Sequence, residues 1–300
     1  MKVAHSPIYT YEHLPHGHRF PMEKYDLLPK QLLLEGTCLE EDFFIPSLLS
    51  EEEILRTHHE GYWNKLKLGQ LTQKEIRAMG FPFHPILVER GRYIAKGTLE
   101  CAYHAFREGV ALNIAGGTHH SFRERGEGFC LFNDIAIAST ELLYHEQVSQ
   151  ILIVDLDVHQ GNGTASIFRE EPRVFTFSMH GGHNYPLNKE ESDLDIPLPD
   201  GMEDEDYLEI LKETLPDLIS RVSPDIIFYL SGVDVLASDK LGRLGMSIEG
   251  CKERDQFVFK SAKAASIPVV VSMGGGYSTH IKDIIEAHAN TFRMAKSIYF

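Results

Sequence analysis

The sequence predicts an α/β fold: a three-layer α/β/α arrangement with a predominantly parallel central sheet, spanning residues 1–300 as one domain. Three observations predict it. From about residue 109 onward, short apolar runs alternate with segments of helical periodicity, the pattern of successive right-handed βαβ units. These runs are apolar at every position rather than every second one, as in Ile151-Leu152-Ile153-Val154, so both faces of the strands need cover. Finally, 43% of the 300 residues are apolar and no linker composition interrupts them, which suffices for one large core.

In chain order, MKVAHSP offers a first strand, and residues 51–67 and 91–108 read as helices. GVALNIAGG (109–117) is a short strand ending in glycines. Residues 133–146 are helical, with Ile135, Ala138, Leu142 and Leu143 on one face. Strands follow at 151–157 and 174–180, a helix at 203–220, a strand at 224–234, a helix at 247–265, a strand at 267–277, and a helical tail from 279. Two acidic runs, Glu51-Glu52-Glu53 and residues 203–206, precede apolar periodic segments. Negative charge suits the first turn of a helix, so both read as helix starts rather than sites.

Composition narrows the function. With 44 acidic and 29 basic residues the formal charge is −15, which suits cationic or neutral partners and makes the chain a poor candidate for binding a phosphate backbone. The four cysteines, Cys38, Cys101, Cys130 and Cys251, are scattered without a C-x-x-C pair, the usage of a reducing compartment. MKVAHSPIY lacks the apolar run of a signal peptide, and no segment approaches the roughly 20 apolar residues of a membrane span. The expectation is a cytoplasmic protein with no nucleic-acid or membrane partner. The glycine run at 274–276 lacks both the G-x-G-x-x-G spacing and a following Lys-Ser/Thr, so it is no nucleotide cradle.

Polar residues collect where the predicted strands end. The first runs into His119-His120, the next into Asp155, Asp157 and His159, then Ser178 and His180, then Asp234, and the last into Gly274-Gly275-Gly276-Tyr277. Ligands of open α/β sheets bind outside the carboxyl ends of the strands. In an extended segment Asp157 and His159 share a side and can reach one ion, with Asp155 one step deeper. Asp234 would complete an Asp-His-Asp set, and three protein ligands with open positions describe a catalytic zinc site. The competing reading of Asp-x-Asp-x-His is a loop cap or a phosphatase-like pair of aspartates. Neutral imidazole suits proton abstraction near neutral pH, and Asp155 and Asn162 are candidate orienting partners for the two histidines. Tyr277 offers a phenol to a developing oxyanion, or else is a packing residue after a glycine turn.

These stretches resemble the zinc-dependent histone deacetylases of the arginase–deacetylase superfamily. The matching motifs are GGTHH (116–120), GFCLFND (128–134), DLDVHQGNG (155–163), FSMH (177–180), SGVD (231–234) and GGGY (274–277), in order. RTHHEGYWNKL (56–66) is similar to the N-terminal part of the family, with less specificity. The resemblance implies an arginase–deacetylase-like catalytic domain. It implies zinc at Asp157, His159 and Asp234. It pairs His119 with Asp155 and His120 with Asn162, and it makes Tyr277 the group that polarises the acyl carbonyl. Gly128, Phe129, Tyr185 and Leu241 would line a narrow tunnel for an acyl-lysine chain. A structural potassium ion would be held by Asp155, the Ser178 hydroxyl and the carbonyls of Asp157, His159 and Met179. The buried carboxylates of the DLDVH strand would then be compensated by two cations and a histidine.

The chain departs from many members at Gln160 and Asn162, where they carry His and Asp; Gln-x-Asn resembles the small class IV branch. An amide supports imidazolium less than a carboxylate does, so His120 should ionise at lower pH than in relatives with Asp. The implied function is metal-dependent hydrolysis of N-ε-acyl-lysine in proteins or peptides, with zinc the implied metal and iron the other that these donors suit. An acylpolyamine deacetylase of the same family and a catalytically silent acyl-lysine binder are the alternatives. An arginase-like dinuclear manganese site lacks the extra Asp and His ligands it needs.

Overall fold

The computed structural model describes residues 1–300 and contains one eight-stranded sheet in the order β2-β1-β3-β8-β7-β4-β5-β6, every neighbouring pair parallel. The strands are β1 (Lys2–Ala4), β2 (Phe43–Phe44), β3 (Val110–Asn113), β4 (Ile151–Asp155), β5 (Val174–Gly181), β6 (Leu194–Leu198), β7 (Ile226–Leu230) and β8 (Val269–Ser272). The central four, β3-β8-β7-β4, carry the continuous apolar runs and are buried throughout.

Two apolar layers form because alternate residues of each strand point to opposite faces. Leu152, Val154, Ile227, Tyr229, Val269 and Val271 pack on one side; Ile151, Ile153, Ile226, Phe228 and Val270 pack on the other. The first side is covered by α1 (Lys24–Leu34), α8 (Asp204–Val222), α9 (Ile248–Ala264) and α10 (Ile281–Tyr299). The second is covered by α5 (Pro85–Glu108), α6 (Asp134–Tyr144) and the short α7 (Asn162–Phe168). Three smaller helices, α2 (Glu51–Thr57), α3 (Glu60–Leu68) and α4 (Gln73–Met79), lie between α1 and α5 in sequence.

The predicted elements are present with three differences. The segment 51–67 is two helices, because the chain extends at His58 and His59 and the His59 side chain caps α3. The helix expected from 91 starts at Pro85, capped by His84, a Pro at the first helical turn being well tolerated. Four of the predicted strands (β3, β4, β7 and β8) end earlier than expected, so His119, His120, Asp157, His159, Asp234 and Tyr277 lie in loops beyond them, while β5 runs on to Gly181 and keeps Ser178 and His180. Both acidic runs do occupy first turns, of α2 and α8. All four cysteines are free and buried. No helix is long and apolar enough to cross a membrane.

Candidate active site

The adjacent carboxyl ends of β3, β8, β7 and β4 bring four of the sequence motifs to one place. After β3 the backbone turns through Gly116 and Gly117, at φ of 81° and 71°, into His119-His120. Asp134, buried at the first turn of α6, holds this turn. It accepts hydrogen bonds from the Gly117 and Thr118 amides at 3.1 and 2.8 Å and from the Thr98 and Ser272 hydroxyls at 2.6 and 2.9 Å.

β4 stops at Asp155, so Asp157 and His159 lie in a bend and not in an extended strand. The expected same-side geometry therefore does not apply, yet the turn brings the two side chains together: His159 Nδ1 lies 3.0 Å from Asp157 Oδ1 and 3.2 Å from Asp234 Oδ2. Ligand atoms of Asp157, His159 and Asp234 all fall within 4.8 Å of one another. Backbone amides preset both carboxylates: Gly275 donates to Asp157 Oδ2 at 2.8 Å and Val158 to Asp234 Oδ1 at 3.0 Å. Asp234 Oδ2 is buried and accepts no hydrogen bond. A buried carboxylate oxygen without a donor needs a cation. The Asp-His-Asp donor set therefore fits a divalent metal.

The electrostatics say the same. Burial, then the charge of Asp157, pushes the Asp234 carboxyl up to about 7. Burial opposes a charged His159, but the adjacent carboxylates of Asp157 and Asp234 outweigh it and raise the imidazole to about 10. Two carboxylates this close in a dry site attract whatever cation is at hand.

The histidine pair is differentiated by its partners. His119 Nδ1 lies 2.6 Å from Asp155 Oδ2, and His120 Nδ1 lies 2.7 Å from Asn162 Oδ1. Burial disfavours the charged form of both. For His119 the carboxylates of Asp155 and Asp157 outweigh burial and raise it to about 9. His120 has only an amide partner, and burial together with the charges of His119 and His159 takes it well below the usual imidazole value. The Asn162 carbonyl oxygen can only accept, so His120 carries its proton on Nδ1 and its Nε2 lone pair is free. Gly128, at φ 53°, lets the wall approach: a Cβ there would lie 2.5 Å from His120 Cδ2. Its neighbour Phe129 is held in the left-handed region at φ 68°, a strained backbone of the kind that clusters at functional sites.

The four residues expected in a tunnel do line one cavity. Gly128, Phe129, Tyr185 and Leu241, with Arg19 and Ala78, line a cavity of ≈ 240 Å³ whose base is His120, His159 and Tyr277. A smaller inner space, lined by Phe20, Tyr25 and Ile94, continues beyond the metal-ligand group. The Tyr277 ring packs against Phe20 and Phe129 at 6.0 and 5.9 Å between centroids. Burial, then Asp234 and Asp157, keep its phenol protonated by raising it well above its ordinary value.

Several supporting residues lie outside the sequence motifs or were given no role in them. Asp239 accepts from the amides of Tyr277, Leu241 and Gly242 at 2.5, 2.8 and 2.9 Å, and so ties the tyrosine to the tunnel wall. Glu127 receives the Tyr185 hydroxyl at 2.7 Å. Lys24 is fully buried, donates to the Gly274 carbonyl at 3.2 Å, and is lowered to about 8 by burial. Arg254, on α9 and wholly buried, donates to the carbonyls of Leu156 and Gly232 at 3.2 and 2.7 Å, in the two loops that carry Asp157 and Asp234. An isolated Arg-Asp pair in a helix carries no sequence signal of such a role. Gln160 turns away from the histidines and bonds Glu190 and Asp195. His58, in the N-terminal motif, is structural: it bridges the Phe122 carbonyl and the Asn133 amide at 2.9 and 3.1 Å. Ser178 stands opposite Asp155 in the β4–β5 register, and its hydroxyl lies 3.0 Å from His180 Nδ1.

Residues 18–292 match the family model of the histone deacetylase domain. The chain belongs to the histone deacetylase family. It is 42% identical over 297 residues to an uncharacterized protein of Picosynechococcus sp., covering 99% of each chain. It is 31% identical to histone deacetylase 2 of Arabidopsis thaliana over 87% of this chain and 70% of the relative. Among solved structures it is similar to an HDAC homolog complexed with SAHA, with a TM-score of 0.85 and 25% identity over 99% of this chain and 84% of the other. The histone deacetylase fold and the all-parallel sheet thus agree with the arrangement the motifs implied. Family membership supports deacetylase activity at the level of the family.

Proposed function

We propose that the protein is a metal-dependent amidohydrolase that removes acetyl or other acyl groups from the ε-amine of lysine in proteins or peptides. One observation carries this reading. The Asp157-His159-Asp234 group, with its unpaired Asp234 oxygen, sits beside a histidine with a free Nε2 at the base of a narrow cavity.

Asp157, His159 and Asp234 would hold the ion, zinc by preference and iron next; when bound it supplies Lewis acidity and makes water easier to deprotonate. The chain's own residues do the rest. His120, neutral and oriented by Asn162, accepts the proton of the attacking water at Nε2. Tyr277 donates its O–H to the acyl oxygen as that atom gains charge, an interaction stronger in the transition state than in the substrate. His119, kept protonated by Asp155, steadies the developing negative charge and is placed to protonate the departing amine. Gly128, Phe129, Tyr185 and Leu241 sheathe the lysine methylenes and exclude water. A structural potassium ion at Asp155, the Ser178 hydroxyl and the carbonyls of Asp157, His159 and Met179 is supported by the Asp155–Ser178 register. The Gln160-x-Asn162 pattern supports a likeness to the class IV branch.

The test is turnover of an acetyl-lysine peptide by protein stripped of metal and reloaded with zinc or iron. Metal-dependent release of acetate is expected; no turnover with either ion on any acyl-lysine peptide would replace the hydrolase with a binder.

A further inference from the structure

The lining of the tunnel mouth includes a charged side chain that nothing in the protein neutralises. Arg19 lines the cavity above His120, His159 and Tyr277. Its guanidinium lies 5.2 Å from the centre of the Phe129 ring, a cation–π contact against the tunnel wall. It forms no hydrogen bond and no ion pair, although the chain has 44 acidic residues and a formal charge of −15. The nearby rim charges are spoken for: Glu127 holds Arg125 at 2.6 Å and the Tyr185 hydroxyl at 2.7 Å, and Arg125 also reaches Glu124 at 2.8 Å.

The position of Arg19 is not left to chance. On one side His18 bonds the Gly80 carbonyl at 3.0 Å and receives the Phe20 amide at 3.2 Å. On the other, Phe20 is buried against Phe81, Phe129 and Tyr277. The arginine is therefore exposed between two anchored neighbours, its planar fork free to meet a carboxylate.

The geometry points to Arg19 as a specificity-determining residue that selects acyl-lysine substrates carrying a carboxylate next to the scissile side chain. This rests on the hydrolase reading above. The carboxylate is either the α-carboxylate of a C-terminal acyl-lysine or an acidic side chain flanking an internal one; both present the same group at the rim. The same charge repels acylpolyamines, whose remaining amines are cationic, despite the acidity of the protein as a whole.

The test compares kcat/KM at low salt for four probes: a peptide ending in acetyl-lysine carboxylate, the same peptide as its carboxamide, an internal acetyl-lysine flanked by Asp, and an acetylated polyamine. The parent should favour the terminal carboxylate, the Asp-flanked peptide, or both over the carboxamide by about 3- to 10-fold, mainly through KM, with the preference shrinking as salt rises. Whichever carboxylate probe shows it identifies the source. Arg19→Gln should bring the ratio near one, and Arg19→Glu should invert it toward the polyamine. If the parent cleaves carboxylate and carboxamide probes equally and Arg19→Glu changes neither ratio, Arg19 has no such role, while the hydrolase stands. A parent that prefers the acetylpolyamine overturns the inference outright. A parent that cleaves none of the probes overturns the hydrolase reading itself.

Discussion

Replacing Asn162 by Asp tests the division of labour between the two histidines. Asn162 Oδ1 lies 2.7 Å from His120 Nδ1, and both groups are buried. A carboxylate at 162 puts a negative charge about 4 Å from the centre of the imidazole charge, an attraction of about 4 kcal/mol at an effective dielectric of about 20. Burying the new carboxylate, and its repulsion by Asp155, take back part of this. The expected rise in the His120 pKa is about one to three units, the range for an opposite charge in contact. The sign follows from the role. His120 must be neutral to accept a proton, and in the parent it is held well below the usual imidazole value. A raised pKa protonates it at higher pH, so the acidic limb of kcat/KM moves upward by about one to three pH units in Asn162→Asp. Asn162→Ala removes the orienting bond without adding charge; it should lower kcat and leave that limb low. The assay is a pH–rate profile on an acetyl-lysine peptide with metal content fixed. An acidic limb that stays put in Asn162→Asp would show that His120 is not the titrating base.

Tyr277→Phe keeps the ring packed against Phe20 and Phe129 and removes only the hydroxyl. It should cost about 10²–10³-fold in kcat with metal content and KM nearly unchanged, and near-parent kcat would make the tyrosine a packing residue. Asp234→Ala should abolish both metal binding, measured by elemental analysis, and turnover; full occupancy with normal rates would remove it from the ligand set. Gly275→Ala places a methyl 1.9 Å from Asp234 Oδ2 and 2.9 Å from Asp157 Oδ2. Metal affinity should fall by about 10- to 100-fold, and an unchanged affinity would mean the carboxylates sit elsewhere.

The legible parts of the fold were those where one physical demand dominates. The runs of β3, β4, β7 and β8 are buried on both faces and can be nothing but interior strands. The edges were not legible: β2 is only two residues, and β6 is half-exposed and contains Pro197, tolerated only because no strand lies beyond it. At the site, Asp157, His159, Asp234, the histidine pair and their partners were all named from sequence, but the strand geometry invoked for Asp157 and His159 was wrong. Loop backbone pinned by amides from Val158 and Gly275 brings them together instead. Arg19, Asp239 and Arg254 escaped because their effect depends on neighbours far away in sequence, as when Arg254 reaches Leu156.

The grip of Arg254 on the Leu156 and Gly232 carbonyls has a consequence for the Asp157-His159-Asp234 group. Both aspartate-bearing loops are fastened from behind to α9, and Asp255 beside it is fastened in turn to Tyr229 and Thr291 at 2.5 and 2.6 Å. Asp157 and Asp234 are thus held in place by the fold itself, unlike the ligands of small zinc domains, whose folding waits on the metal. On the proposed reading, protein drawn from zinc-rich and iron-rich cultures should differ in the metal it carries, since these donors suit both ions.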